Sequence, residues 1–281
     1  MSGGPAQAAG SAAVVVVVDP GSLDSALPPP HPARTAPTAT SEAIAGPMRR
    51  PRDREGRTEV PSEAVIELQR EGDVFVMSMK VGENRLSPEV LDQLEGHLAT
   101  IAGTEGPRAL VTAGEGKFFS NGLDLDWLGA NPDEMFPYLE RVHRLFASFL
   151  ELPCHTVAAL NGHTFAAGAM IAICHDVRVM RADRGYWCLP EVDLGMPFTP
   201  GMNALIPAML PTRTAHEAMV TGRRYGAADA LAAGIVDEAA ADADVLPRAI
   251  DRAAELAPKA GPNVAAIRTH LHQGVLAALA G

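Results

Sequence analysis

Thr156-Val157-Ala158-Ala159-Leu160-Asn161-Gly162-His163-Thr164-Phe165-Ala166-Ala167-Gly168 is the stretch on which the fold turns. Its first five residues form an apolar run without polar alternation, as in a strand buried on both faces. Asn161-Gly162 ends that run, and Ala166–Cys174 continues as a helix of small and apolar residues. Val177–Met180 then reads as another buried strand. The preceding segment repeats this order. Ala109–Thr112 is a short apolar strand, a glycine-rich loop follows, and Phe136–Leu150 is helical with Pro137 near its start. Two strand–helix–strand units in succession indicate parallel strands joined by right-handed crossovers, hence an α/β core.

On the N-terminal side, Val65–Leu68 and Val74–Met79 flank a Gly72-Asp73 turn and predict a hairpin. Ser87 is placed to cap a helix with Pro88 at its first position. Val90, Leu91, Leu94, Leu98 and Ile101 give that helix one apolar face, ending near Gly103. From about Met202 the chain is alanine-rich and mostly helical, with helices expected over Arg213–Thr221, Ala227–Ala233 and Asn263–Leu279. Residues 1–60 differ in kind. The first aromatic residue of the chain is Phe75, and eight of the 23 prolines fall within residues 1–47. Such a segment cannot bury enough apolar surface to offset its ordering entropy, so it is expected to be a disordered leader. Met48 opens a basic stretch and is an alternative initiator, which would make residues 1–47 a misplaced start. Residues 61–281 then form one folded domain.

Charge and cysteine narrow the function classes. Residues 1–60 hold six Arg and six Asp or Glu, so the net charge of −11 belongs to the remainder of the chain. A nucleic-acid-binding domain carries a basic face, and none is evident. Three cysteines fall well below a disulfide scaffold, which points to a reducing cytoplasm. Val14–Val18 is too short for a membrane span and lacks a preceding basic residue. Cys154-His155 and Cys174-His175 lack C-x-x-C spacing and border buried strands, which favours packing over metal.

Loops after parallel strands are where such folds hold ligands. Two qualify, Gly114–Leu125 and Asn161–Gly168, and neither has dinucleotide or P-loop spacing. Both lead from small residues into a helix, so their amides can face a developing anion.

Four ordered motifs carry a specific resemblance. Lys117-Phe118-Phe119-Ser120-Asn121-Gly122-Leu123-Asp124-Leu125 resembles the K-x-F-x-x-G-x-D-[IL] segment of the enoyl-CoA hydratase/isomerase (crotonase) superfamily. Ala158–Gly168, followed by Asp176, is similar to its A-x-x-N-G-x-x-x-G-G segment. Pro190-Glu191-Val192-Asp193-Leu194-Gly195 resembles P-E-x-x-L-G, and Thr221–Val236 the later T-G segment. The resemblance implies a ββα superhelix with a C-terminal helical trimerisation segment from about residue 202, assembled as a homotrimer or homohexamer. It implies an acyl-CoA substrate, with coenzyme A part of the substrate rather than a cofactor, and no metal. The backbone amides of Leu123 and Ala167 become an oxyanion hole. Arg85, Lys117, Ser120, Gly122, Asp124 and Gly168 become coenzyme A or substrate contacts, and Arg268 a further candidate cation.

Within the superfamily the acids decide the reaction. Hydratases use two glutamates; here one position is Glu191 and the other is Met170, which cannot move a proton or orient water. The pattern is similar to the Δ3,Δ2-enoyl-CoA isomerases, which shift a double bond with a single carboxylate. Glu191 beside Leu189 and Pro190 is expected to have a raised pKa. A hydratase or other acyl-CoA reaction, and a non-catalytic acyl-CoA-binding protein, are the alternatives.

Overall fold

The computed structural model describes residues 66–281. The expected leader and the Met48 start therefore lie outside the described residues. The chain begins with the hairpin β1 (Ile66–Glu71) and β2 (Val74–Met79), paired antiparallel with Glu71 opposite Val74. β1 runs into polar Gln69, Arg70 and Glu71 beyond the apolar stretch. An edge strand can pair its backbone wherever the register allows, whatever its outer side chains.

A repeating unit follows: a long strand, a short strand, then a helix. β3 (Arg85–Leu86) leads into α1 (Pro88–Ala102), where Ser87 accepts a hydrogen bond from Val90 N. Next come β4 (Ala109–Gly114), β5 (Phe118–Ser120), β6 (Gly122–Leu123), α2 (Leu125–Ala130) and α3 (Met135–Glu151). The sequence continues with β7 (His155–Leu160), β8 (His163–Phe165) and α4 (Ala167–Ile173). A third pass gives β9 (Val177–Arg181), β10 (Trp187–Cys188) and α5 (Glu191–Leu194). The long strands build one sheet and the short strands another. β2, β4, β7 and β9 run parallel in the six-stranded sheet, while β5, β8 and β10 stack in a three-stranded parallel sheet. This is the α/β ββα superhelix that the resemblance implied.

The C-terminal region comprises α6 (Pro200–Met209), α7 (Thr212–Thr221), α8 (Ala227–Ala232), the edge strand β11 (Glu238–Ala240) and α9 (Asp242–Leu256). Where one terminal helix was expected there are two, α10 (Pro262–Leu271) and α11 (Gln273–Ala280). His272, at φ −105° and ψ 17°, breaks them. α9 packs the outer face of the large sheet through Val245, Ala249 and Ala253, and α4 with α3 and α6 fills the inner side. No helix among the described residues is long and apolar enough to cross a membrane.

Candidate active site

The two loops singled out in the sequence meet under a single cavity. Gly122 adopts φ +84°, where side chains are disfavoured, and a Cβ there would lie 2.9 Å from Ala166 Cβ and 2.9 Å from Ala167 N. Gly168 is equally confined, because its Cβ would lie 2.6 Å from Ser120 Cβ. Gly122 packs against the Ala166–Ala167 peptide, and Gly168 against Ser120, because neither glycine carries a side chain. Ser120 is fully buried; its hydroxyl donates to Asn84 O at 2.7 Å and accepts from Gly122 N at 3.2 Å. Ser120, Gly122 and Gly168, expected as substrate contacts, are not in the cavity wall and pack beneath it as support. Asn161 joins the same support, accepting from Gly114 N at 3.1 Å through Oδ1.

The residues before and after the oxyanion candidates are also held. Asp124 caps α2 by accepting from Trp127 N at 3.2 Å, and its own N–H donates to Tyr138 Oη at 3.1 Å. Tyr138 in turn donates to Leu86 O at 2.7 Å, so α3 fixes the peptide that follows Leu123. Ala166 sits at φ +49° and ψ −126°, a conformation that L-residues rarely adopt. Its N–H donates to Cys188 O at 3.1 Å and its carbonyl accepts from Met170 N at 3.1 Å. That pinned, strained residue sets the direction of the Ala167 amide at the start of α4.

The cavity has a volume of about 420 Å³, and Leu123, Ala166, Ala167 and Glu191 are in its wall. Leu125, Leu139, Phe165, Leu194, Met196 and Met202 make most of the rest apolar. Glu191 opens α5 and is only 8% exposed. Its Oε2 is buried without a hydrogen-bond partner among the described residues. Burial, offset only in part by the residue's own backbone N–H, pushes its pKa up to about 7. Met170, the position of the second acid in hydratases, is fully buried in the core and is not part of the wall.

The cations divide into three kinds. Arg85 is in the wall but is already paired with Glu83 at 2.8 Å and with Asp126. Lys117 lies outside the wall and makes no ion pair among the described residues; its Nζ is 5.2 Å from the Phe118 ring centroid. It shares this flank with Arg184 and Arg224, which together with burial lower the pKa of His163. The flank adjoins the cavity through Phe165, whose ring lies 5.9 Å from Arg224 Cζ. Arg268 corrects an expectation. It is 7% exposed and donates to Leu152 O (2.9 Å), Cys154 O (2.8 Å) and the Asp176 carboxylate (2.5 Å), so no anion can reach it.

Trp187 is core, donating to Ala169 O at 3.2 Å, and Tyr186 is exposed. His155 and His175 are hydrogen-bonded to Asp176 and to Ile171 O and Thr112 respectively, and the neighbouring Cys154 and Cys174 are buried. Sequence reasoning missed Asn84, Tyr138 and Leu139. The last two share a face of α3 that reads simply as hydrophobic periodicity, and Asn84 acts through backbone contacts that no motif announces.

Comparison with known proteins places the chain in a family and a fold. The family model for enoyl-CoA hydratase/isomerase matches residues 69–280. Enoyl-CoA delta isomerase 3 of Arabidopsis thaliana is 37% identical over 186 residues, covering 62% of this chain and 76% of that protein. The peroxisomal enoyl-CoA delta isomerase 2 of the same plant is 36% identical over 188 residues, 63% of this chain and 78% of that one. Among solved structures, a probable enoyl-CoA hydratase from Mycobacterium tuberculosis H37Rv superposes with a TM-score of 0.70 at 26% identity. That match covers 76% of this chain and 91% of the other.

Proposed function

The chain belongs to the enoyl-CoA hydratase/isomerase family, and from that premise we propose that it is a Δ3,Δ2-enoyl-CoA isomerase. The observation that carries the reading is a single buried carboxylate without a partner, Glu191, in a cavity wall that holds no second glutamate. In the reaction, Glu191 removes a proton from C2 of a 3-enoyl thioester. The electron pair of that C–H bond moves toward the thioester carbonyl, whose oxygen takes the charge. The backbone N–H groups of Leu123 and Ala167 stabilise it, and prealigned amides need no reorganisation to do so. Glu191 then returns the proton at C4, the C3–C4 double bond becomes C2–C3, and no water is consumed. A proton shuttle works best with a pKa near the working pH, which a value of about 7 supplies.

The coenzyme A phosphates are assigned to the flank of Lys117, Arg184 and Arg224, none of which makes an ion pair among the described residues, although Glu83 and Asp183 lie near enough to feel Lys117 and Arg184. Arg85 meets substrate only by exchanging a carboxylate partner. Lys117→Ala is expected to raise the dissociation constant of coenzyme A about fivefold, and Arg85→Ala less. Calorimetry reads both.

The test of the reaction is spectrophotometric. 3-Enoyl-CoA should convert to the conjugated 2-enoyl form, and Glu191→Gln should abolish this. Hydration of 2-enoyl-CoA at a comparable rate would overturn the isomerase reading in favour of a hydratase.

A further inference from the structure

Beyond Glu191 and the group Arg85, Asn121 and Asp126, one polar side chain lines the cavity: Thr199, the residue that caps α6. Arg85 and Asp126 are paired with each other, and Asn121 donates to Glu83 at 2.9 Å. Thr199 is held differently. Its Oγ1 accepts from Met202 N at 3.2 Å and lies 2.7 Å from Nε2 of His143, on α3 one turn beyond the wall residue Leu139. Burial pushes the pKa of His143 down, against the opposing pull of Glu140.

A hydroxyl has one proton and two lone pairs. Met202 N occupies one lone pair. If His143 Nε2 accepts, the Thr199 proton is used and one lone pair remains. If Nε2 carries hydrogen and donates, both lone pairs are used and the Thr199 proton remains. In either tautomer one hydrogen-bonding valence is left over on this half-buried side chain, in a mostly apolar wall where a chain that fills the cavity takes the place of water. A purely alkyl chain in this cavity leaves that valence unmet.

Resting on the isomerase reading, we infer that Thr199, held by His143, is a specificity-determining residue for an oxygen substituent on the acyl chain, so that the substrate class is a hydroxy- or oxo-substituted 3-enoyl-CoA. His143 is the positioning residue, since it touches Thr199 and not the substrate. The substituent lies on the acyl tail, away from the C2–C4 segment that Glu191 serves.

Two measurements test this separately from the reading beneath it. The first is calorimetric binding of saturated acyl-CoA thioesters, plain or with a hydroxyl at successive tail positions. The wild type should bind one hydroxylated isomer about tenfold more tightly than its plain counterpart. Thr199→Val should bring that ratio near one, Thr199→Ser should keep it, and His143→Leu should reduce it. Because the ratio is taken within each variant, loss of the helix cap affects both ligands alike. The second measurement is turnover of the matching 3-enoyl thioesters. Selective binding without turnover would sink the isomerase reading and leave the recognition intact. Ratios near one across the series in the wild type, or an undiminished ratio in Thr199→Val, would overturn the inference whatever the turnover.

Discussion

Two carboxylates of this chain live under opposite rules: Glu191 is buried, whereas Asp176 keeps part of its side chain in solvent. Asp176, between α4 and β9, accepts from Arg268 at 2.5 Å and from Thr156 N at 2.8 Å, and lies 3.2 Å from His155 Nδ1. Burial alone would raise its pKa, but Arg268 and the Thr156 N–H hold it below the ordinary carboxylate value. Glu191 is buried with no such company, and its pKa goes up to about 7. Both acids cost solvation; only Asp176 recovers it within the fold. The difference separates a structural clamp, which ties α10 to the strand β7, from a group left available to exchange a proton. It also explains where the cations went. Arg268 was consumed by the clamp, so it cannot serve a ligand.

The comparison breaks most visibly if its two acids are disarmed in turn. Glu191→Gln is expected to lower turnover of 3-enoyl-CoA by about a thousandfold while the fold stays intact, as circular dichroism would report. A variant within tenfold of the wild type would remove Glu191 from the chemistry. Arg268→Ala does the reverse: it takes a partner from Asp176 and from two carbonyls, and should cost about 2 kcal/mol in urea unfolding. Adding Asp176→Asn to Arg268→Ala should recover part of that loss, since the uncompensated charge goes with it. If the double variant were no better than the single one, the clamp would owe its strength to the carbonyl contacts alone.

The two acids should also tilt stability against pH in opposite directions. For Glu191 the folded value of about 7 lies above its ordinary value of 4.5. Between these the folded state holds the proton more tightly than the unfolded one, so stability falls as pH rises through that window. The drop is on the order of 2–3 kcal/mol, and Glu191→Gln should erase it, making the inactive variant the more stable one at pH 8. Asp176 has the opposite sign. Its contribution is present above the ordinary carboxylate range and is lost on acidification through its depressed value. Denaturant midpoints measured from about pH 2 to about pH 8 in Glu191→Gln and Asp176→Asn separate the slopes, because the Asp176 window lies below its ordinary value of 3.8. A Glu191→Gln variant with the wild-type slope above pH 5 would contradict the burial argument.

How far this contrast was legible in the sequence depends on the kind of signal. Apolar runs gave the long strands, because a strand buried on both faces leaves a compositional mark. β3, β6 and β10 left none, since two residues cannot display a period, yet with β5 and β8 they build the minor sheets that carry the loops. The motif around Glu191 named the acid and its apolar neighbours. It could not say that Oε2 would lack a partner, which depends on every element packed around α5. Arg268 was misread for the same reason: on a terminal helix it looks like any surface cation, and only the placement of α10 beside the segment from Leu152 to Thr156 reveals its partners. Ser120 and Gly168 stood in the right motifs, but they act one layer below the cavity.

Backbone conformation offers the finest test of the contrast between a relaxed support and a strained site. Among the described residues, two that are not glycine have positive φ, Asn84 and Ala166, both at +49°. Asn84 is compensated: Oδ1 accepts from Val81 N at 2.8 Å, and Nδ2 donates to Phe118 O and Phe119 O at 3.1 Å. Ala166 has no side chain with which to compensate, and its ψ of −126° lies in a region suited to glycine. The two glycine substitutions should therefore have opposite signs. Ala166→Gly relieves strain of about 1–3 kcal/mol but loosens the unfolded chain, for a net gain of about 1 kcal/mol. That corresponds to a rise in Tm of about 2–4 °C for a domain of this size. Asn84→Gly loses three hydrogen bonds and should lower Tm by more than Ala166→Gly raises it. Because Ala166 N and O stay bonded to Cys188 O and Met170 N, the Ala167 amide should keep its direction and turnover should change by less than about threefold. A fall in Tm for Ala166→Gly would mean that the Ala166 methyl packs for more than its backbone costs, and the site would be no more strained than its support.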